Sequence, residues 1–325
     1  MSRTLGISLL LAVAVALAFA ASLAIGPARV PVGALLGGPD ELATIVMREI
    51  RLPRALLALL IGGSLGLSGA ALQGFLRNPL AEPGVIGVSG MAALGAVIAL
   101  YGGLSASFPY ALPLLAIGGA LVAVALLQVL AGGASTTTLI LAGVAIASLS
   151  GALTSLALNL SDNPFAVTEI VFWLLGSLAD RSMVHVGLAA PFILAGSALL
   201  LASARQLDAL ALGEEAAIGM GVNLSRLRWL VVLGTALVVG AGVAVSGVVG
   251  FVGLVVPHVL RPLVGHRPAA LLPVSALGGA LLLLLADIAV RLVTPGTELR
   301  LGVLTALIGA PFFFWLVVAQ RRRYA

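Results

Sequence analysis

The chain alternates long apolar runs with short polar breaks. Leu5–Ile25, Arg54–Phe75, Val85–Leu104, Tyr110–Leu130, Thr138–Leu158, His185–Ala202, Leu271–Val290 and Leu301–Val318 are each continuous apolar stretches of about one bilayer crossing, at ~20 residues per span. Leu230–Leu260 is too long for one crossing, and Gly240, Gly242, Ser246 and Gly247 predict two helices joined by a tight outer turn. Because the runs are continuous rather than alternating, a closed barrel is excluded. The expected fold class is an all-α polytopic membrane protein of about ten transmembrane helices, with residues 1–325 forming a single domain.

The one long interruption with a cytoplasmic character is Gln206 to Asn223, QLDALALGEEAAIGMGVN, inside a loop at 206–224. Asp208, Glu214 and Glu215 stand among Leu207, Leu210, Leu212, Ile218 and Met220, which reads as short amphipathic helices broken at Gly213, Gly219 and Gly221. Two readings fit this pattern equally: a handle for another protein, and an interfacial loop lying on lipid headgroups. Asn223 and Ser225 offer N-caps for the helix that follows.

Composition narrows the chemistry. With 61% apolar and 9% charged residues and a mean hydropathy of +1.21, the chain is far from a soluble domain, in which about a quarter of residues are charged. All 17 basic residues are Arg, so the lysine that a nucleotide-binding P-loop requires is missing. Any ATP that drives this protein is hydrolysed by a partner. Cys is absent, which removes disulfides and thiolate chemistry. A pI near 10.9 would suggest nucleic acid in a soluble protein; here arginines flank helices and set topology, so no nucleic-acid partner is expected. His185, His258 and His266 have no ligand-like spacing, so no metal site is expected. No buried constellation for catalysis is found, so no catalytic residue is named. Asp287 is the one acid near a span, about a turn from its end; an ion-coupled secondary carrier, the main rival reading, calls for ionisable groups near the midplane.

The charge pattern places both termini inside. Ten arginines and four acids then fall inside, net +6, and seven arginines and eight acids outside, net −1, which together give the formal charge of +5. Leu5–Ile25 is expected to be retained as the first helix, since it is longer than a usual signal-peptide core. Helices two to five start outside and helices seven to ten inside, so a relation between the blocks would be an inverted repeat. Gly62, Gly66 and Ala70 at four-residue spacing predict a close helix contact. At the outer mouth, Arg54 sits at the positive end of its helix dipole and calls for compensation, from headgroups, Glu49 or an acidic partner.

Eight motifs carry a family resemblance: Arg51-Leu52-Pro53-Arg54; Ser68-Gly69-Ala70 with Gln73; Arg77-Asn78-Pro79-Leu80-Ala81-Glu82-Pro83-Gly84 with Gly87-Val88-Ser89; Leu141-Ala142-Gly143-Val144; Leu212-Gly213-Glu214-Glu215-Ala216-Ala217; Gly253-Leu254-Val255-Val256-Pro257-His258 with Arg261; Ala286-Asp287 with Arg291; and Gly302-Val303 through Gly309-Ala310-Pro311-Phe312-Phe313. In this order, over nearly the whole chain, they resemble the FecCD-type permeases of type II ABC importers for iron-siderophores, haem and vitamin B12. The resemblance implies ten helices per subunit, a second permease copy or paralogue, two ATP-binding-cassette subunits and a periplasmic or lipid-anchored binding protein. It also implies residence in a bacterial cytoplasmic (inner) membrane and contact with membrane lipid. ATP and Mg would be bound by the partner, and no cofactor by this subunit. The cargo implied is an iron chelate, foremost an iron(III)-siderophore complex, with haem or vitamin B12 as alternatives. Arg51, Arg54 and Arg291 match the arginines that dock the binding protein. Leu212, Gly213, Glu214, Glu215, Ala216, Ala217, Gly219 and Gly221 match the coupling helices that seat in the ATPase. Asn78, Leu80, Thr136 and Thr137 match the cytoplasmic gate. Where the family has Glu-Leu-Pro before the last helix, this chain has Glu298-Leu299-Arg300.

Overall fold

A computed structural model describes residues 2–26, 28, 30–37, 40–132, 135–293 and 299–324; at 2, 106, 317 and 319–324 only the backbone is considered. Helix α1 (Ser2–Ala24) is followed by α2 (Glu41–Ile45), α3 (Leu52–Phe75), α4 (Val88–Tyr101), α5 (Leu104–Ser107), α6 (Ala111–Ala131), α7 (Thr136–Asn159) and α8 (Pro164–Leu174). The second half holds α9 (Met183–Ala202), α10 (Ala204–Leu210), α11 (Glu214–Gly219), α12 (Leu224–Ser246), α13 (Val252–Leu260), α14 (Pro268–Val293) and α15 (Leu301–Tyr324). No strand occurs among the described residues. Seven helical stretches are long and apolar enough to cross a bilayer, and four shorter apolar helices, among them α4, α8 and α13, accompany them. Following the charge pattern, the end carrying Arg54 is termed outer and the end carrying 206–224 inner.

Helix α3 is the hub, and small residues let its neighbours reach it. A Cβ on Gly66 would lie 2.1 Å from the Ser275 carbonyl oxygen of α14, and one on Gly62 would lie 2.4 Å from that of Gly279. The spacing of Gly62, Gly66 and Ala70 therefore does what the sequence predicts, seating α3 against α14 backbone to backbone. On its next face Gly69 meets Gly253 of α13 with similar closeness.

The two halves exchange partners: α3, first of one block, packs on α14 of the other, while α12, first of the second block, packs on α6 of the first. Both short helices, α4 and α13, start from a left-handed residue, Gly87 (φ 76°) and Phe251 (φ 66°). Reciprocal packing and matched breaks are what an inverted repeat produces.

One prediction is corrected here. Gly240 and Gly242 do not break the long apolar run; α12 continues through both to Ser246. Gly240 is small because Ala120 of α6 lies against it, 2.7 Å from where a Cβ would be. The chain then leaves the helix at Gly247 (φ 70°) and runs through five residues into the nine-residue α13, rather than through a tight turn at the surface.

Candidate functional site

At the outer end the arginines are turned inward. Arg51, 4% exposed, donates through Nη1 to the carbonyls of Leu23 (2.7 Å) and Ala24 (3.0 Å), and through Nη2 to that of Ala28. The Leu23 and Ala24 carbonyls belong to the C-terminal end of α1, where acceptors lack intrahelical partners and a cation is favoured, and Ala28 lies in the segment just after it. Arg291 does the same from α14: Nη1 donates to Ser22 and Ile25 carbonyls at 2.9 and 2.7 Å, and Nη2 to the Ser22 hydroxyl at 2.7 Å. Arg54 Nε donates to Asp287 Oδ1 at 2.8 Å, and Arg291 Nη2 lies 3.0 Å from Asp287 Oδ2. The structure corrects the expected helix start at Pro53-Arg54: Glu41–Phe75 is one continuous helical stretch with a π-helical segment at Val46–Arg51, so Arg54 lies inside the helix. Its carboxylate partner Asp287 is more than 200 residues away in sequence, where local sequence reading could not pair it. Arg51, Arg54 and Arg291 form one cluster around the Asp287 carboxylate and the carbonyl end of α1.

At the inner end the predicted gate residues stand on two breaks. Arg77 is left-handed (φ 48°), and the Asn78 side chain accepts from the Leu80 N–H at 2.9 Å, an Asx turn that carries the chain around Pro79. The polypeptide then passes Glu82 and enters α4 at Gly87. Burial pushes the Glu82 carboxyl above its usual range, opposed by the bond it accepts from the Phe251 N–H at the start of α13. Beside it, Pro83 packs on Gly253. On the other side Ser135 caps α7, accepting from Thr138 N at 3.3 Å, so Thr136 and Thr137 form the first turn of that helix. A cavity of about 280 Å³ lies between the end of α3, the start of α7, the 206–224 loop and the start of α12, lined by Phe75, Ser135, Thr136, Glu214, Ser225 and Arg228.

Gln73, 1% exposed, ties the inner ends together. Its amide nitrogen donates to the Gly253 and Leu254 carbonyls at 3.4 and 3.3 Å, and its oxygen accepts from Arg261.

The loop 206–224 folds as two short helices, α10 and α11, with breaks at Gly213 and Gly221 as the sequence predicts, whereas Gly219 is the last residue of α11 rather than a break. Gly213 (φ 112°) starts α11 and Gly221 (φ 82°) follows its end. Glu214 and Glu215 occupy the first turn, where the dipole favours acids, and Asn223 caps α12 by accepting from Arg226 N at 2.9 Å. Ala217 is fully buried, whereas Leu212 (71%), Ile218 (58%) and Met220 (54%) are exposed. Glu214 also reaches 3.9 Å from Arg77, next to the gate turn, through a half-exposed contact of little energy.

Two features escaped the sequence reading. Asp208, counted only as a loop acid, holds the start of α14: Oδ1 accepts from Ala269 N at 2.8 Å and Oδ2 from Arg267 at 2.9 Å. Asp287 stood out as an acid near a span without its second arginine being foreseen. Neither partnership leaves a local signal, because Asp208 lies 61 and 59 residues from Ala269 and Arg267, and Arg54 lies 233 from Asp287. Arg300, the departure from the family pattern, stacks over Phe172 with 5.3 Å between guanidinium carbon and ring centroid; Glu298 lies outside the described residues.

Residues 9–319 match the model of the FecCD transport family. The chain is 44% identical over 277 residues to the Fe(3+) dicitrate transport system permease protein FecD of Escherichia coli (strain K12), covering 85% of this chain and 86% of that protein. It is 45% identical over 279 residues to the vitamin B12 import system permease protein BtuC of Vibrio cholerae serotype O1, covering 83% and 82%. Among solved structures, an inward-facing metal-chelate type ABC transporter superposes with a TM-score of 0.88 at 37% identity, covering 97% of this chain and 99% of that one.

Proposed function

The chain belongs to the FecCD transport family, and on that premise we propose that it is the membrane-spanning permease that carries an iron(III)-siderophore complex across the inner membrane of a bacterium. It is a transporter subunit, and hydrolysis of ATP belongs to a partner, since the chain has no lysine to hold nucleotide phosphates. The observation that carries this reading is the inner-end handle. Leu212, Ile218 and Met220 stand uncovered around a short helix that begins with two acids, the form of an amphipathic helix that seats in a groove.

In this reading two ATPase subunits hold the α10–α11 handles of a pair of permeases, a second copy or a paralogue, with all termini in the cytoplasm. Nucleotide-driven movement of the handles opens and closes the breaks at Asn78–Leu80 and Thr136–Thr137, giving alternating access. A binding protein docks at the outer end, where Arg51, Arg54 and Arg291 gather in one cluster. The kinship to a vitamin B12 permease at 45% identity supports cobalamin as a second cargo.

The experiment is an affinity isolation of the subunit from native membranes grown with and without iron, with mass spectrometry of what accompanies it. A stoichiometric ATPase bearing a P-loop is expected, and the chelate held by the accompanying binding protein distinguishes siderophore from cobalamin. Isolation of the intact assembly without an ATPase refutes the proposal and returns the secondary carrier.

A further inference from the structure

We infer that Asp208 is a positioning residue that fastens the coupling handle to α14, making α14 the strut that carries nucleotide-driven movement from the inner handle to the outer arginine cluster. The inference rests on the permease reading above and extends it to a route through the subunit.

Three observations converge. First, Asp208 lies on α10, inside the handle, and binds the start of α14 through the Ala269 N–H at 2.8 Å and the residue just before that helix through the Arg267 guanidinium at 2.9 Å. Ala269 is in the first turn of α14, where backbone donors have no intrahelical acceptor, so the carboxylate both caps that helix and joins it to the handle. Second, α14 runs as one helix from that turn to the outer end, with Pro273 a turn inside it, and is braced against α3 beyond the proline. It spans 26 residues, about 39 Å at 1.5 Å per residue, and locks onto α3 through the close contacts at Gly62 and Gly66. Third, its far end carries Asp287 and Arg291, which hold Arg54 and the carbonyl end of α1. Displacement of the handle therefore pulls on the first turn of α14, and the helix, braced on α3 beyond Pro273, delivers it to the cluster where a binding protein would dock.

The two bonds of Asp208 are unequal. Arg267 is 72% exposed in its side chain, so its ion pair is screened and weak, whereas the amide bond at the helix start is partly buried. The tie accordingly depends on an acceptor at Oδ1 more than on charge.

The test uses the permease with its ATPase, reconstituted in liposomes. Asp208→Ala is expected to lower the ratio of hydrolysis with loaded binding protein to hydrolysis without it, each measured on the same variant complex, by about five-fold or more, the loss that a coupling of about 1 kcal/mol or more describes. Asp208→Asn, which keeps the acceptor, and Arg267→Ala are expected to stay within about two-fold of the parent. Undiminished stimulation in Asp208→Ala overturns the inference, as does equal loss in Asp208→Asn. A second measurement needs no variant: hydrogen exchange on the unaltered complex, with and without nucleotide. The amides at the start of α14 are expected to stay protected in both states, and deprotection in either breaks the strut. Absence of ATPase from the unaltered complex would instead remove the permease reading, so the two failures are distinguishable.

Discussion

Removing Asp287 is the most informative single change at the outer end. Its side chain is 1% exposed and faces two guanidinium groups, Arg54 at 2.8 Å and Arg291 at 3.0 Å, themselves 12% and 7% exposed. Asp287→Ala leaves those two cations close together without their shared carboxylate. Breaking a buried pair from one side costs about 3–5 kcal/mol, because the remaining charge stays desolvated. For 325 residues at ~2.1 cal/mol/K per residue, that loss corresponds to a fall in Tm of about 4–7 °C. Thermal unfolding in detergent, followed by intrinsic tryptophan fluorescence, reads it directly. The double replacement Arg54→Met with Asp287→Leu should be less destabilised than the sum of its parts, by a coupling on the order of 0.5–3 kcal/mol. A Tm shift under about 1 °C for Asp287→Ala, or strict additivity in the double variant, would refute the buried-pair account.

Further outcomes follow from the geometry. Gly66→Ala puts a methyl group 2.1 Å from a backbone oxygen of α14 and should cost over ~3 kcal/mol or prevent assembly, whereas Gly118→Ala, with nothing within 4 Å, should stabilise by about 0.5–1 kcal/mol; melting curves of both variants compare them. Burial raises the Glu82 carboxyl, so its ionised form costs stability above the raised value, and the native state binds the extra proton. Relative to Glu82→Gln, the parent should therefore lose stability as pH rises through that value, and the two melting curves should converge below the ordinary 4.5; a difference independent of pH would contradict the assignment. Glu214→Arg with Glu215→Arg sets two cations at the positive end of α11, and should abolish ATPase recruitment in a co-purification while the permease still elutes as a folded species.

Local chemistry alone determined much of this protein. The length of the apolar runs fixed the helices, since a backbone in lipid must satisfy its own hydrogen bonds, and Gly213, Gly221 and Asn223 marked the handle because turns and caps are decided by neighbouring residues. The spacing of Gly62 and Gly66 announced a close contact without naming the partner, as small residues state only that something approaches. The absence of Lys excluded a P-loop in this chain before any coordinate was known. Only the tertiary structure decided where charges find their counterparts. Arg54 with Asp287, Arg51 with the end of α1, Gln73 with α13 and Asp208 with Ala269 join residues remote in sequence, and Coulomb attraction and hydrogen bonding depend on distance in space rather than along the chain. For the same reason Gly240 reads as a helix break in sequence and serves as a packing site in the fold: a glycine's role is set by the helix lying against it.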